Sequence, residues 1–135
     1  VSRSGYSDDG DFDARELGRW RGAVASSIRG KRGQAFLREL IEALDALPEK
    51  RLIAHDLYDG TNVCAIGSVG LKRGTDMSVL DPEDSERIAG TFGIADPLVR
   101  EIEWMNDDVF WSETPEERWQ KMRTWAVNNL KEEAA

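Results

Sequence analysis

A single cysteine, Cys64, and a single histidine, His55, stand in 135 residues. One cysteine excludes an internal disulfide and suits a reducing compartment. Together the two fall short of the roughly four ligands that a closed zinc site needs. No apolar run approaches the ~20 residues of a membrane span. The opening VSRSGYSDDGDFD is polar and acidic and lacks the apolar stretch of a secretory signal. No G-x-S-x-G marks a nucleophile, and "GSVGLKRG" lacks the order of a phosphate-binding loop. The chain therefore reads as soluble, cytoplasmic and non-enzymatic, with no catalytic residues, no metal and no cofactor expected. The pairs Asp107-Asp108 and Glu116-Glu117 read as solvated helix ends. His55 beside Asp56 reads as a hydrogen-bonding strand residue, and Cys64 as a small core residue.

What is abundant is charge, at 33% of the residues, with a net value of -8 and a pI near 4.7. A balance so acidic argues against a protein held to nucleic acid by its overall charge. The charge is unevenly spread. From Arg15 to Arg38 there are seven cations and one acid; from Asp76 to Glu117 there are thirteen acids and two cations.

Residues 1–12, rich in Ser, Gly and Asp, are expected to form a flexible N-terminal arm, and 13–135 a single globular domain. The expected fold class is α+β, mostly helical. Leu17, Trp20, Val24 and Ile28 lie on one stripe of a first helix that stops at Gly30. Phe36, Leu37, Leu40, Ile41, Leu44 and Leu47 give a second helix, ended by Pro48, and the two should form an N-terminal antiparallel pair. Gly22, Ala23 and Ala25 would let the two backbones approach. The apolar runs around "YDGT" predict one β-hairpin, with strands at about 51–57 and 62–67. Gly67, Gly70 and Gly74 then read as a flexible connection. "LDPEDSE", "ADPLVRE" and "ETPEERW" each supply an N-cap, an early proline and first-turn acids. They predict a C-terminal three-helix segment at about 82–91, 96–105 and 115–130. Trp20, Trp104, Trp119 and Trp125 should pack in the core.

Within that segment, Ala89, Gly93, Val99 and Ile102 have the spacing of a helix-turn-helix. A recognition helix must lie against phosphates. The second helix instead carries Asp96, Glu101, Glu103, Asp107 and Asp108 against Arg100 alone. These five acids are a candidate face for a basic protein partner, and Phe110 with Trp111 a candidate exposed anchor. Arg15, Arg19, Arg29, Lys31 and Arg32 form a candidate anion or nucleic-acid patch. It is centred on the GKRG turn, where helix N–H groups point outward.

The strings "GRWRGAV", "IRGKRGQAFLREL", "LPEKRLIA", "CAIGSVG", "RGTDM", "DPED", "FGIA" and "TPEERW" fall between Gly18 and Trp119, and the resemblance they carry extends to about Trp125. In combination they resemble a family of small, uncharacterised proteins encoded by tailed phages and prophages of proteobacteria. The resemblance implies a phage context and a bacterial cytoplasm, and brings no site residues with it. The expected function is that of a phage accessory protein that binds a host or phage protein with a basic surface. Antagonism of a nucleic-acid-handling or defence complex is one version. A small nucleic-acid-binding module that uses the basic 15–38 helix pair is the alternative. No membrane partner is expected.

Overall fold

The computed structural model describes residues 3–6, 14–108 and 113–131. In them the chain forms six α-helices: α1 (Ala14–Arg29), α2 (Lys31–Ala46), α3 (Ala65–Arg73), α4 (Ser85–Phe92), α5 (Asp96–Asp107) and α6 (Pro115–Asn128). A short 3₁₀ turn, Met77–Val79, lies between α3 and α4. The fold is all-α, which corrects the α+β expectation. No helix is long and apolar enough to cross a membrane among the described residues.

The expected β-hairpin fails for a local reason. Its turn does form: the Asp59 carboxylate accepts from the N–H groups of Thr61 and Asn62, and Gly60 takes φ 99°. Pairing then stops at one bridge, Tyr58 to Val63. On one side His55 adopts φ 69°, which breaks the extended run. On the other, the Cys64 thiol accepts from the Gly67 N–H and starts α3. Beyond that bridge, the Ile53 N–H still reaches across to the expected second strand, donating to Val63 O. Other backbone groups of the 51–57 run find partners in the C-terminal helices: the Leu52 N–H donates to Pro115 O, and Arg118 and Asn106 donate to the carbonyls of Leu52 and Ile53.

The glycines expected to make a flexible connection are contact points instead. A Cβ on Gly67 would lie 2.0 Å from Leu57 O, and one on Gly70 would lie 2.6 Å from Met77 Sδ. Gly74, at φ 73°, caps α3 in the left-handed conformation. The close approach of α1 and α2 is also not where the small residues of α1 suggest. Nothing lies within 4 Å of a Cβ on Gly22, whereas one on Gly33 would lie 1.9 Å from Ser27 O.

The core draws on α2 (Leu37, Leu40, Leu44), α3 (Ile66, Val69), α4 (Ile88), α5 (Leu98, Ile102) and α6 (Met122), all fully buried. Each such side chain contributes roughly 1.5–3 kcal/mol through burial. Trp119 and Trp125 pack against this cluster, partly buried. Trp20 and Trp104 are also partly buried and flank Tyr6, each with a ring centroid 5.7 Å from its own. The caps of the C-terminal segment follow the sequence closely at α6, where Thr114 and Glu117 form a capping box ahead of Pro115. At α4 the start shifts to Ser85, because the Asp84 side chain, not Asp81, accepts from the helix.

The helix-turn-helix outline is present as α4, a left-handed Gly93 and α5. Its second helix is the centre of the molecule. α5 packs against α1, α3, α4 and α6, and Leu98, Val99, Glu101, Ile102, Glu103, Asn106 and Asp107 are all buried. The remaining residues of α5 are half-buried and none is fully exposed, so the helix does not stand out from the fold as a recognition helix must.

Residues 3–6 of the expected arm lie on this helix. Arg3 and Ser4 are buried, and the Tyr6 hydroxyl donates to Glu101 Oε1 at 2.9 Å.

Candidate functional site

The two charge clusters legible in the sequence meet different fates. Arg15, Arg19, Arg29, Lys31 and Arg32 are all exposed, and none has an ion-pair partner among the described residues. The other arginines mostly do. Arg21 pairs with Glu101, Arg73 with Glu39, Arg100 with Asp96, Arg118 with Glu113 and Arg123 with Asp45. Of the arginines without ion-pair partners among the described residues, most therefore gather on α1 and the first half of α2, where Arg38 also stands exposed; Arg87 on α4 lies apart from them.

Helical geometry lines them up. At 100° per residue, Arg15, Arg19, Gly22, Ser26 and Arg29 fall on one side of α1, opposite the buried Val24. The stripe is roughly 21 Å long at 1.5 Å per residue. It is flush in the middle, because Gly22 and Ser26 carry almost no side chain. The chain then turns sharply through Gly30, which N-caps α2 without a side-chain hydrogen bond. A hollow of about 300 Å³ opens here, lined by Ser26, Ser27, Gly30, Lys31, Arg32 and Gly33. The first-turn N–H groups of α2 have no intrahelical acceptor and carry partial positive charge. Gln34 holds the corner rigid: its Nε2 donates to Ile28 O and Asn129 O, and its Oε1 accepts from the Lys131 N–H.

The acidic row is not an exposed face, which corrects the expectation of a docking surface. Glu101 is buried and accepts both Nη atoms of Arg21, at 2.8 and 2.9 Å. Glu103 is 0% exposed and Asp107 4%. Asp96 is half-buried, accepting from Ser85 Oγ at 2.6 Å and pairing with Arg100. Asp108 is half-buried at the C-cap of α5. The carboxylates turn inward because arginines from distant segments meet them there. Sequence spacing along one helix does not show that. Phe110 and Trp111 lie outside the described residues.

Around Asp107 the buried charges form one cluster. Arg3 donates to it from Nε at 2.6 Å and Nη2 at 2.9 Å. Asn106 Nδ2 and the His55 N–H donate to its Oδ1. Burial alone would raise this carboxyl, but the Arg3 hydrogen bond and charge outweigh it and hold Asp107 below the usual range. Glu103 goes the other way. Burial pushes it up to about 8, because Arg3 offsets only part of the desolvation and Asp107 adds like charge. Neither Glu103 oxygen accepts a hydrogen bond. Arg3 was the residue the sequence did not signal: one arginine in a polar arm gives no hint of a partner 104 positions away.

His55 and Asp56, adjacent in sequence, find different partners. Asp56 accepts from the Leu57 N–H beside it. His55 is exposed and nears Asp107 instead, with Nδ1 3.8 Å from Oδ2. Cys64 is fully buried, its thiol raised by burial. Glu117 is engaged in the α6 capping box. Among the described residues, no group of three or more His, Cys, Asp or Glu side chains is arranged to hold a metal ion. No protein-family model, curated protein or solved structure matches the chain.

Proposed function

We propose that this protein is a non-catalytic binding protein that grips the phosphate backbone of a nucleic acid through the outer stripe of α1 and the α1–α2 corner. One observation carries this reading. Arg15, Arg19, Arg29, Lys31 and Arg32 are exposed and without ion-pair partners among the described residues, whereas most other arginines are paired. Cations not held by the fold's own carboxylates are free to exchange counterions for phosphates.

The net charge of -8 does not forbid this. At 0.1 M salt the Debye length is about 10 Å, so exposed carboxylates farther than that from a ligand on α1 are largely screened from it. Binding of this kind is sequence-tolerant, since phosphates carry no base information. The first-ranked expectation, a basic partner docked on the acidic row of α5, loses its support because Glu101, Glu103 and Asp107 are buried. A cytoplasmic role in a phage context rests on the resemblance to small phage proteins.

The test is fluorescence anisotropy with labelled single-stranded and duplex oligonucleotides at low salt. Wild-type protein should bind, and the Lys31→Glu/Arg32→Glu variant should bind at least about tenfold more weakly. A flat titration with the wild type at low salt overturns the reading.

A further inference from the structure

The cluster around Asp107 has no part in the anion-binding role, yet it is organised around a ligand of one chemistry. Asp107 is oriented on its own side by Asn106 Nδ2 at 2.7 Å and by the His55 N–H at 3.1 Å. Against this fixed carboxylate lies a planar guanidinium, that of Arg3, bound through Nε and Nη2 with Nη1 facing Cys64 Sγ at 3.6 Å. That two-pronged geometry suits arginine and not lysine.

The occupant fits incompletely. Glu103 sits one turn before Asp107 on α5 and is 0% exposed. Its Oε2 lies 3.5 Å from Arg3 Nε, and neither oxygen accepts a hydrogen bond. A guanidinium has five N–H donors, but Arg3, fixed by its backbone, leaves Glu103 without one. An arginine arriving without that tether can place one edge on Asp107 and another on Glu103. A buried carboxyl group left without a hydrogen-bond partner is costly, and a guanidinium edge placed on it would favour its ionised form, so such an occupant gains where Arg3 does not.

We propose that this pocket on α5 is a receptor for an arginine side chain supplied by a second polypeptide, and that Arg3 holds the place in cis. The two arginines compete. Because Arg3 belongs to the same chain, its effective concentration is on the order of millimolar, so an incoming arginine must be strongly presented to displace it.

The test uses the full chain with Arg3→Ala and, in parallel, Arg3→Lys, which keeps a cation in the pocket. Each is titrated with N-acetyl-arginine amide, read by thermal melting and tryptophan fluorescence. Trp20 meets the Tyr6 ring edge-on and Trp104 meets it at a tilt, three residues along the chain from Arg3. Both variants should show a saturable rise in Tm, and N-acetyl-lysine amide should give none. Adding Glu103→Gln should weaken the arginine response by at least about tenfold. Wild-type protein should bind the same probe measurably, but at least about tenfold more weakly than Arg3→Ala. No saturable response in either variant overturns the proposal. An equal response to lysine, or indifference to Glu103→Gln, does so as well. A response in the variants with none in the wild type makes Arg3 a permanent anchor and also overturns it.

Discussion

Asp107 holds the Arg3 guanidinium with two hydrogen bonds, at 2.6 and 2.9 Å, across 104 positions of sequence. Both side chains are almost fully buried, at 2% and 0% exposure. The pair ties the segment at residues 3–6 to the central helix, and it decides what removing either partner does.

Asp107→Asn leaves Arg3 buried beside a neutral amide, with Glu103 as its remaining carboxyl. Breaking a buried pair in this way typically costs about 3–5 kcal/mol. Ionisation of Glu103 recovers part of that, so a loss of about 2–4 kcal/mol in urea unfolding is expected. A loss below about 1 kcal/mol would contradict the geometry.

Glu103 gives the protein a pH dependence opposite to that of an ordinary salt-bridged acid. Its folded value, about 8, lies above the usual 4.5. The folded state then binds a proton that the unfolded chain releases. The contribution of Glu103 is fully present below about 4.5 and is lost as the pH rises towards 8. At about 1.36 kcal/mol per pH unit, the loss across that window is on the order of 5 kcal/mol at most. Asp107 has the reverse sign: its lowered value stabilises the fold above the usual 3.8, and that is lost on acidification. Glu103→Gln should therefore flatten the decline in urea midpoint between pH 5 and 8. It should be more stable than wild type at pH 8 and similar at pH 5. Parallel pH curves for the two proteins would refute this.

The glycines of α1 and α2 should respond in opposite directions. Gly33→Ala puts a Cβ 1.9 Å from Ser27 O, and that backbone oxygen has to move. A cost of about 1–3 kcal/mol or more is expected from such overpacking. Gly22→Ala meets nothing within 4 Å on an exposed helix face and should gain up to about 1 kcal/mol from helix propensity. Thermal melts of the two variants check both signs at once.

Five of the six helices were legible because their signals are local. Apolar spacing at Leu37, Leu40 and Leu44, or a Thr-Pro start three residues ahead of Glu117, acts within one or two turns. The sixth, α3, was hidden. "CAIGSVGLKR" is apolar and glycine-rich, and it follows an Asp-Gly turn that invites a hairpin. What makes it a helix is tertiary: a thiol cap at Cys64 and two glycines pressed against Leu57 O and Met77. The charges divided in the same way. Arg15, Arg19 and Arg29 of α1 stayed outside, because no carboxylate among the described residues reaches them, whereas Arg21 is drawn to Glu101. The acids of α5 turned inward because Arg3 and Arg21 come from far along the chain, and no spacing within α5 records that.

The most direct measurement of the central claim is the salt dependence of nucleic-acid binding by the wild-type protein between 50 and 200 mM. If five cations on α1 and at its corner replace counterions, log K should fall linearly with log salt, with a slope of roughly -3.5 on single strands to -4.5 on duplex. The slope should become shallower by about 1 for each of Arg19→Gln and Arg32→Gln. A slope near zero, or one unchanged by either substitution, would contradict the account.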